Sequence, residues 1–398
     1  MILMQPDSDL EILAGTLPVY ARPSVPFNAT ACSFLADLSA TLLRNTEAKQ
    51  QADVVAFAFW CRKANIAHLK GRYAGNHYTM GRGTAFHISP GNVPINAFYS
   101  FAFGLLAGNN NIVRLASKAS LSVNLVLDAV NLLFGKQEYR STSGANAFVR
   151  YDAANGQTDI LSARCDARII WGGDKTIADI RKSPIPPRAH EIVFADRYSF
   201  AVFDAAAIST LSDKDLQREA VNFYNDTLQM DQNACSSPHL IVWQNADPDT
   251  RQRFWTAVCA YTAQKYALEP VASVDRYARL LSGFITGPKQ QLLTGAADPI
   301  QRVQLSSLPS DIDQMRGIHG LFYEYDANDL QEVAHIVNMK YQTLTYLGLD
   351  KKILAEFVTK NRLRGIDRIV PNGSALDIDT LWDGYDVLKE LTRTIDVR

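Results

Sequence analysis

Gly83 to Ala116 reads GTAFHISPGNVPINAFYSFAFGLLAGNNNIVRLA. GTAFHIS (Gly83 to Ser89) is a strand-like run ended by PGNVP. From Pro94 the apolar positions Ile95, Phe98, Ala102 and Leu105 recur at helical spacing, and Gly108 stops that helix. NIVRLA (Asn111 to Ala116) then reads as a second strand. The same alternation continues through a helix over Leu121 to Phe134, ARIIWGG (Ala167 to Gly173), a short helix from about Lys175, EIVFA (Glu191 to Ala195) and SFAVFD (Ser199 to Asp204). Strands alternating with helices predict βαβ units, and so an α/β fold with a mostly parallel, doubly wound, Rossmann-type sheet. A nucleotide-type site is expected at the carboxyl ends of its strands.

On either side of this block the pattern changes. Residues 1 to about 80 mix short helical segments with loops containing Pro18, Pro23 and Pro26. From about Ala205 a new alternation begins: a helix to Gln229, a polar loop around Cys235, a strand at His239 to Val242 and a helix through Ala267. GLFYEYDANDLQEVAHIVN (Gly320 to Asn338) reads as a further strand, turn and helix. A boundary is therefore placed near residue 205. Residues 1–204 are expected to form the nucleotide-binding part, 205–370 the nucleophile-bearing part, and 371–398 a segment returning toward the first.

At 398 residues and 47% hydrophobic content the chain is long enough for two cores. Forty basic side chains nearly balance 41 acidic ones, and no Lys/Arg block of five or more occurs. Neither a nucleic-acid groove nor an acidic membrane surface is suggested, and small-molecule chemistry is the natural expectation. MILMQPDSDLEIL has no basic n-region or small-residue cleavage site, and no apolar run reaches the ~18 residues of a membrane helix. A cytoplasmic location is expected. Five cysteines (Cys32, Cys61, Cys165, Cys235, Cys259) form no CxxC pair and no zinc spacing, so no metal is expected and the thiols read as reduced. Cys61 and Cys259 lie in apolar helical stretches and read as inert packing.

Three stretches can carry chemistry. SPGNVP (Ser89 to Pro94) joins a strand to a helix, where backbone N–H groups and the helix dipole favour negative charge. By residue type alone Asn92 reads first as an N-cap with Pro94 just inside the helix; a nucleophile elsewhere would make its amide an oxyanion donor. WGGDK (Trp171 to Lys175) could let backbone approach a pyrophosphate or ribose through Gly172 and Gly173, although G-x-G-x-x-G is absent. MDQNACSSPHLIVW (Met230 to Trp243) sets Cys235 among small and polar residues in a loop, where a thiolate is solvated and reachable. His239, four residues on, is either a thiol-activating base or a satisfied imidazole. His87, His190 and His319 have no carboxylate partner visible in the sequence, so spacing assembles no triad.

In their order, these pieces resemble the aldehyde dehydrogenase superfamily, and within it the LuxC-type acyl-CoA reductases. The stretch FHISPGNVPINAFYSFAFGLLAGNNNIVRLASK is similar to the superfamily's SPWNxP…AGNxxxxKPSE segment, IIWGGDK to its nicotinamide-side glycine turn, and DQNACSSPHLIVW to its GQxC nucleophile segment. GIHGLFYEYDANDLQEVAHIVN resembles the segment that closes the active site, and GIDRIVPNGSALDIDTLWDGYDVLKELTR is distinctively like LuxC. The resemblance covers about residues 80 to 398.

It implies Cys235 as nucleophile and Asn92 as oxyanion donor, partnered by the Cys235 backbone N–H. Arg114 takes the place of the adenosine-ribose lysine. Ser117 stands where NAD-preferring relatives often carry a ribose-binding glutamate, and Ser117 beside Lys118, with Arg114 near, tolerates a 2′-phosphate. NADPH is thus the expected cofactor. The general-base glutamate of hydrolytic relatives aligns with Val193 in EIVFADRYS; Glu191, two residues away, shares its strand face. RGIHG puts Gly317 or Ile318 where a glutamate often contacts the nicotinamide ribose. The implied reaction is reduction of an acyl thioester (acyl-CoA or acyl-carrier, fatty acyl by family) to aldehyde. An acyl-protein synthetase partner and a homo-oligomer are implied by the resemblance alone. Two rivals stand beside it: an NAD(P)-dependent aldehyde dehydrogenase making the free acid, and a redox-silent cysteine acyltransferase.

Overall fold

Strands that are apolar at successive positions must be covered on both faces, and the strands of this chain are used in that way. The computed structural model describes residues 10–17, 22–75, 78–117, 120–294 and 299–398. Pro18 and Lys118, both singled out in the sequence, lie outside those residues. The chain divides into two compact units, Met1–Ala195 with Tyr385–Arg398, and Asp196–Gly384. The division thus falls at Asp196, with the final residues grouped in the first unit.

The first unit contains β1 (Leu10–Gly15), β2 (Tyr78–Gly81), β3 (Thr84–Ile88), β4 (Asn110–Arg114), β5 (Asn146–Tyr151), β6 (Ala167–Trp171) and β7 (His190–Phe194). Six of them form one sheet in the order β1-β5-β4-β3-β6-β7. Strands β3 to β7 are parallel and β1 is an antiparallel edge. Outside that sheet, β2 pairs with Thr392–Ile395. The chain leaves β3 through β4 and β5 to one side and through β6 and β7 to the other. The loops after β3 and β6 therefore flank the switch point, the usual place for a nucleotide in such sheets.

Phe86, Ile88, Val149 and Ile170 pack into a core on this sheet. The helix after β3 is Asn96–Leu106, and every residue from Ala97 to Leu106 is buried. It is covered all round, where the sequence spacing alone marked one apolar stripe. Upstream, the expected short segments include a helix of 16 residues, Ala29–Arg44, capped by Asn28 and burying Phe34, Leu35, Leu38 and Leu42. Those positions recur on one helical face, which is why the helix runs through four turns.

The second unit contains β8 (Tyr198–Asp204), β9 (Pro238–Gln244), β10 (Gln290–Leu292), β11 (Gln301–Leu305), β12 (Leu321–Ala327), β13 (Tyr341–Leu347) and β14 (Arg368–Pro371). They form one sheet, β10-β11-β12-β9-β8-β13-β14, parallel except at β10. Alternate residues feed two cores: Phe200, Val202, Leu240 and Val242 on one face, and Ala201, Phe203, Ile241 and Trp243 on the other. Each such side chain contributes roughly 1.5–3 kcal/mol of transfer free energy, so β8 and β9 are the fixed framework of the unit.

Two expectations for this unit are corrected. The helix expected from Ala205 to Gln229 is two helices, Ala205–Ser209 and Asp213–Asp226, because Ser212 accepts from the Asp215 N–H and starts a new one. The helix after β12 is a 3₁₀ segment, Leu330–Ile336, opened by a capping box of Asp329 and Glu332.

Candidate active site

Cys235 sits in the loop that enters β9, and the amino ends of neighbouring strands supply its surroundings. Met230 is followed by two left-handed residues, Asp231 (φ 50°) and Gln232 (φ 58°). That costly conformation is held by the buried Gln232 side chain, which donates to Leu321 O at 3.1 Å and accepts from Gly320 N–H at 2.8 Å. Gly317 lies in the same clamp: a Cβ there would stand 1.8 Å from Leu321 O. The strand ladder breaks on both sides of β8 near Ser199, against β9 and against β13. Ser199 Oγ fills the gap, donating to Cys235 O at 2.7 Å and accepting from Thr343 N–H at 3.1 Å.

The Cys235 thiol is half-buried. Burial pushes it above the ordinary cysteine range; the Arg197 backbone N–H and the Arg316 charge pull it down, and Asp383 and Asp196 push it up. Arg316 is itself paired with Asp196 through two contacts, 2.6 and 2.9 Å. At neutral pH the resting group is a thiol with a polar, multiply charged neighbourhood. Cys61 and Cys165 are buried; burial raises both, Cys165 to about 12, so neither ionises readily. Cys32 and Cys259 are half-buried on helices.

His239 takes the structural role. It is buried, stacks on Tyr198 at 5.4 Å, and its Nδ1 meets Gly317 O at 2.9 Å, which fixes Nδ1–H as the donor. Burial and the Arg316 charge lower it to about 3, so it stays neutral at physiological pH. Of the other three histidines singled out in the sequence, His87 bridges Ser100 and Asn111 in the first core. His190 meets Glu390 at 2.6 Å and His319 lies 3.8 Å from Asp231. Those carboxylates stand 200 and 88 positions away in sequence, beyond the reach of a local motif.

In the first unit the candidate residues gather at the carboxyl ends of β3, β4 and β6. Asn92 is exposed in the bend after β3. The helix that follows starts at Asn96 with Ile95 at its N-cap position, so Asn92 is not the cap the residue type first suggested. Ser89 anchors this loop to the end of β4, its Oγ donating to Arg114 O at 2.6 Å. The Arg114 guanidinium lies over the Tyr151 ring, 4.9 Å from its centroid, and its Nε is buried with no hydrogen-bond partner among the described residues. A cation with a spare donor at this place fits an anionic or hydroxyl-bearing nucleotide group. Ser117 is exposed three residues further on. Gly172 N–H donates to Phe194 O at 3.1 Å and Gly173 is the N-cap of the helix Asp174–Ile180.

Glu191 belongs elsewhere. It pairs in register with Arg168 across β6 and β7. Arg168 Nε donates to it at 2.8 Å and Arg181 Nε at 2.7 Å. Burial alone would raise this carboxyl, but the two guanidiniums hold it below its usual range. Val193, on the same strand, has no acid–base chemistry to offer.

Residues 62–279, more than half of the chain, match the family model described as Acyl-CoA reductase (LuxC). The chain belongs to that family. This LuxC-family chain is 22% identical over 326 residues to the long-chain acyl-protein thioester reductase of Vibrio harveyi, covering 79% of this chain and 63% of that one. To the protein of the same description from Aliivibrio fischeri it is 21% identical over 306 residues, covering 73% and 58%. It therefore spans less than two thirds of the length of these curated relatives. Among solved structures it is similar to a gamma-glutamyl-gamma-aminobutyraldehyde dehydrogenase from Burkholderia cenocepacia, with TM-score 0.65, 12% identity, and 92% and 83% of the two chains covered. A NAD-dependent benzaldehyde dehydrogenase from Corynebacterium glutamicum gives TM-score 0.61 at 14% identity, with 94% and 85% covered. The fold of this LuxC-family chain is that of the aldehyde dehydrogenases. Among the described residues no helix is long and apolar enough to cross a membrane, and no group of three or more His, Cys, Asp or Glu could hold a metal.

Proposed function

We propose that this chain reduces an acyl thioester, on CoA or on a carrier-protein thiol and fatty acyl in class, to an aldehyde through a covalent thioester on Cys235. The observation that carries the reading is the Cys235 loop. A half-buried thiol is held by a strained turn, a buried glutamine and a serine that replaces a broken ladder bond. Such strain is retained where a side chain has to be aimed.

In this reading the Cys235 thiolate attacks the acyl carbonyl carbon; the carbon–sulfur bond to the donor breaks, and the leaving thiolate takes up the proton. Asn92 and the Cys235 backbone N–H are assigned to the oxyanion. NADPH, when bound, supplies the hydride that brings the thioester carbon to the aldehyde level. Expulsion of the Cys235 sulfur then releases the aldehyde and restores the thiolate. Arg114, Ser117, Gly172 and Gly173 are assigned to the cofactor, and Lys118 with them from the sequence. The phosphate preference assigned to NADPH rests on the absence of an acidic side chain at Ser117. A partner of the acyl-protein synthetase type that delivers the acyl group belongs to the same proposal.

Formation of free acid from an aldehyde needs a carboxylate able to take a proton from water. Glu191 is a poor candidate, since its oxygens are committed to Arg168 and Arg181. Glu191→Gln is expected to leave aldehyde output from acyl-CoA within about twofold of the parent, because Glu191 touches none of the proposed machinery. The same change leaves the buried Arg168 without its counter-charge and should cost about 3 kcal/mol of stability, read by denaturant unfolding. Because the folded-state carboxyl is depressed, that stabilisation is fully present above the ordinary glutamate pKa of ~4.3 and is lost as pH falls below it and through the lower folded-state value.

The assay that tests the reading follows NADPH absorbance and aldehyde with purified protein and acyl-CoAs of several lengths. Stoichiometric NADPH loss and aldehyde gain support it. Acid from aldehyde, lost in Glu191→Gln, supports the hydrolytic rival; acylation of Cys235 with no NADPH consumption supports the acyltransferase.

A further inference from the structure

A cleft of about 460 Å³ opens between the helix Pro270–Thr286, the segment after β11 and strand β12, with every lining residue in the second unit. That volume suits an organic ligand of ordinary size. Its lining is largely polar: Arg279 from the helix, Asp311, Gln314 and Arg316 from the segment, and Tyr323 from the strand, with the Met315 thioether among them. Glycines keep the helix wall thin. A Cβ at Gly283 would stand 3.0 Å from the Tyr323 hydroxyl, and one at Gly287 would stand 2.6 Å from Gly283 O and 2.9 Å from Met315 Cε.

Two of these groups are uncommitted. Arg279 is exposed and has no hydrogen-bond or ion-pair partner among the described residues. Tyr323 is 2% exposed, yet its hydroxyl has no hydrogen-bond partner among them either, where buried phenols normally find one. Burial raises that phenol to about 12 against the opposing pull of Arg279, so it stays protonated and able to donate. Arg316, by contrast, is taken up by Asp196. One free guanidinium and one buried donor, beside an amide and a carboxylate, suit a ligand with an anionic group and several amides. The cleft is also tied to the candidate nucleophile. Gly317, next in the chain after Arg316, sits against the Gln232 amide, three residues before Cys235: a Cβ there would lie 3.3 Å from Gln232 Nε2. Tyr323 pairs in register with Leu240, five residues after Cys235. Its Cα therefore lies at most about 23 Å from that of Cys235, the sum of five extended residues and one strand spacing.

We propose that this cleft binds the phosphopantetheine arm that CoA and carrier proteins have in common, with its phosphate on Arg279, its amides on Tyr323, Gln314 and Asp311, and its thiol end directed toward Cys235. The extended arm is of similar length to that span, so its phosphate is held at the cleft while the acyl group reaches the sulfur. The single uncommitted cation matches the one phosphodiester of a carrier-borne arm. CoA adds a second phosphate in its diphosphate and a third on its ribose, for which the lining offers no further free cation, so a carrier protein is the expected source. That the arm brings the acyl group to be reduced rests on the reductase reading; the binding itself does not.

The test is calorimetric titration of the whole chain, without cofactor, with three probes: 4′-phosphopantetheine, pantetheine, which lacks the phosphate, and CoA. Phosphopantetheine should bind about tenfold more tightly than pantetheine, the size of one charge-assisted contact. Arg279→Gln should abolish that preference and leave pantetheine binding unchanged. Tyr323→Phe, which gives up no bond present in the structure, should weaken both probes by about fivefold. CoA within about fivefold of phosphopantetheine supports the carrier-borne arm, and tighter CoA binding that depends on Arg279 makes CoA the source. Absence of phosphopantetheine binding, equal affinities for phosphopantetheine and pantetheine, or a preference that survives Arg279→Gln overturns the proposal. An Arg279→Gln protein that loses NADPH affinity in a separate titration but keeps phosphopantetheine gives the cleft to the cofactor and overturns it too. The parent protein alone can refute the proposal, so the test does not depend on a variant that folds. Refutation leaves the reductase reading standing, because no turnover is measured, and failure to form aldehyde leaves the binding result standing.

Discussion

Cys235→Ala is expected to reduce aldehyde formation from acyl-CoA by at least ~10⁴-fold, to the background of the uncatalysed reaction. The effect is this large because the sulfur is not one donor among several: without it no enzyme-bound thioester forms and the two-step path is lost. Stability should change little, by about 1 kcal/mol or less. The loop is fixed by Gln232, by Ser199 on the Cys235 carbonyl and by the turn at Asp231, none of which needs the thiol. Matched unfolding curves with lost turnover separate chemistry from folding. The substitution also distinguishes Cys235 from Cys61 and Cys165, whose burial marks them as packing residues.

Asn92→Ala is expected to lower the rate of Cys235 acylation by about 10²–10³-fold, the usual cost of one oxyanion donor. The loss should appear in the burst of released thiol, with the concentration dependence on acyl-CoA nearly unchanged, because the donor acts on charge that develops in the transition state. An N-cap role predicts a different pattern: a loss of about 1 kcal/mol of stability with intact acylation. Asn92 lies four positions before Asn96, where the helix begins, and Ile95 holds the cap position. Intact stability with impaired acylation is therefore the expected combination.

Much of this was legible in the residues because the signals are local. The run from Gly83 to Ala116 shows a strand, a helix and a strand, and the structure has β3, the helix Asn96–Leu106 and β4 within a few residues of those limits. The polar surroundings of Cys235 separated it from Cys61 in the same way. What could not be read is non-local. Strands β1, β10 and β14 are sheet edges, and β5 and β11 pair with two of those edges, so their identity depends on the partner they pair with. Arg168 becomes the partner of Glu191 only when β6 and β7 are in register, and Ser199 reaches Thr343 across 144 positions. Asp383 lay inside a stretch already noted for its family likeness, yet its Asp-Gly pair signals an exposed turn; burial beside charged groups is a property of the fold. The two-helix break at Ser212 was visible in principle as a Ser-x-x-Asp capping pattern within a longer periodic run.

The most direct measurement is a single-turnover experiment by intact-protein and peptide mass spectrometry: acyl-CoA is mixed with the protein first without cofactor, and NADPH is added afterwards. One acyl group is expected on the Cys235 peptide, stable against water, and then one aldehyde released per adduct when NADPH arrives. An adduct that maps to another residue, or one that leaves as free acid without consuming NADPH, would contradict it.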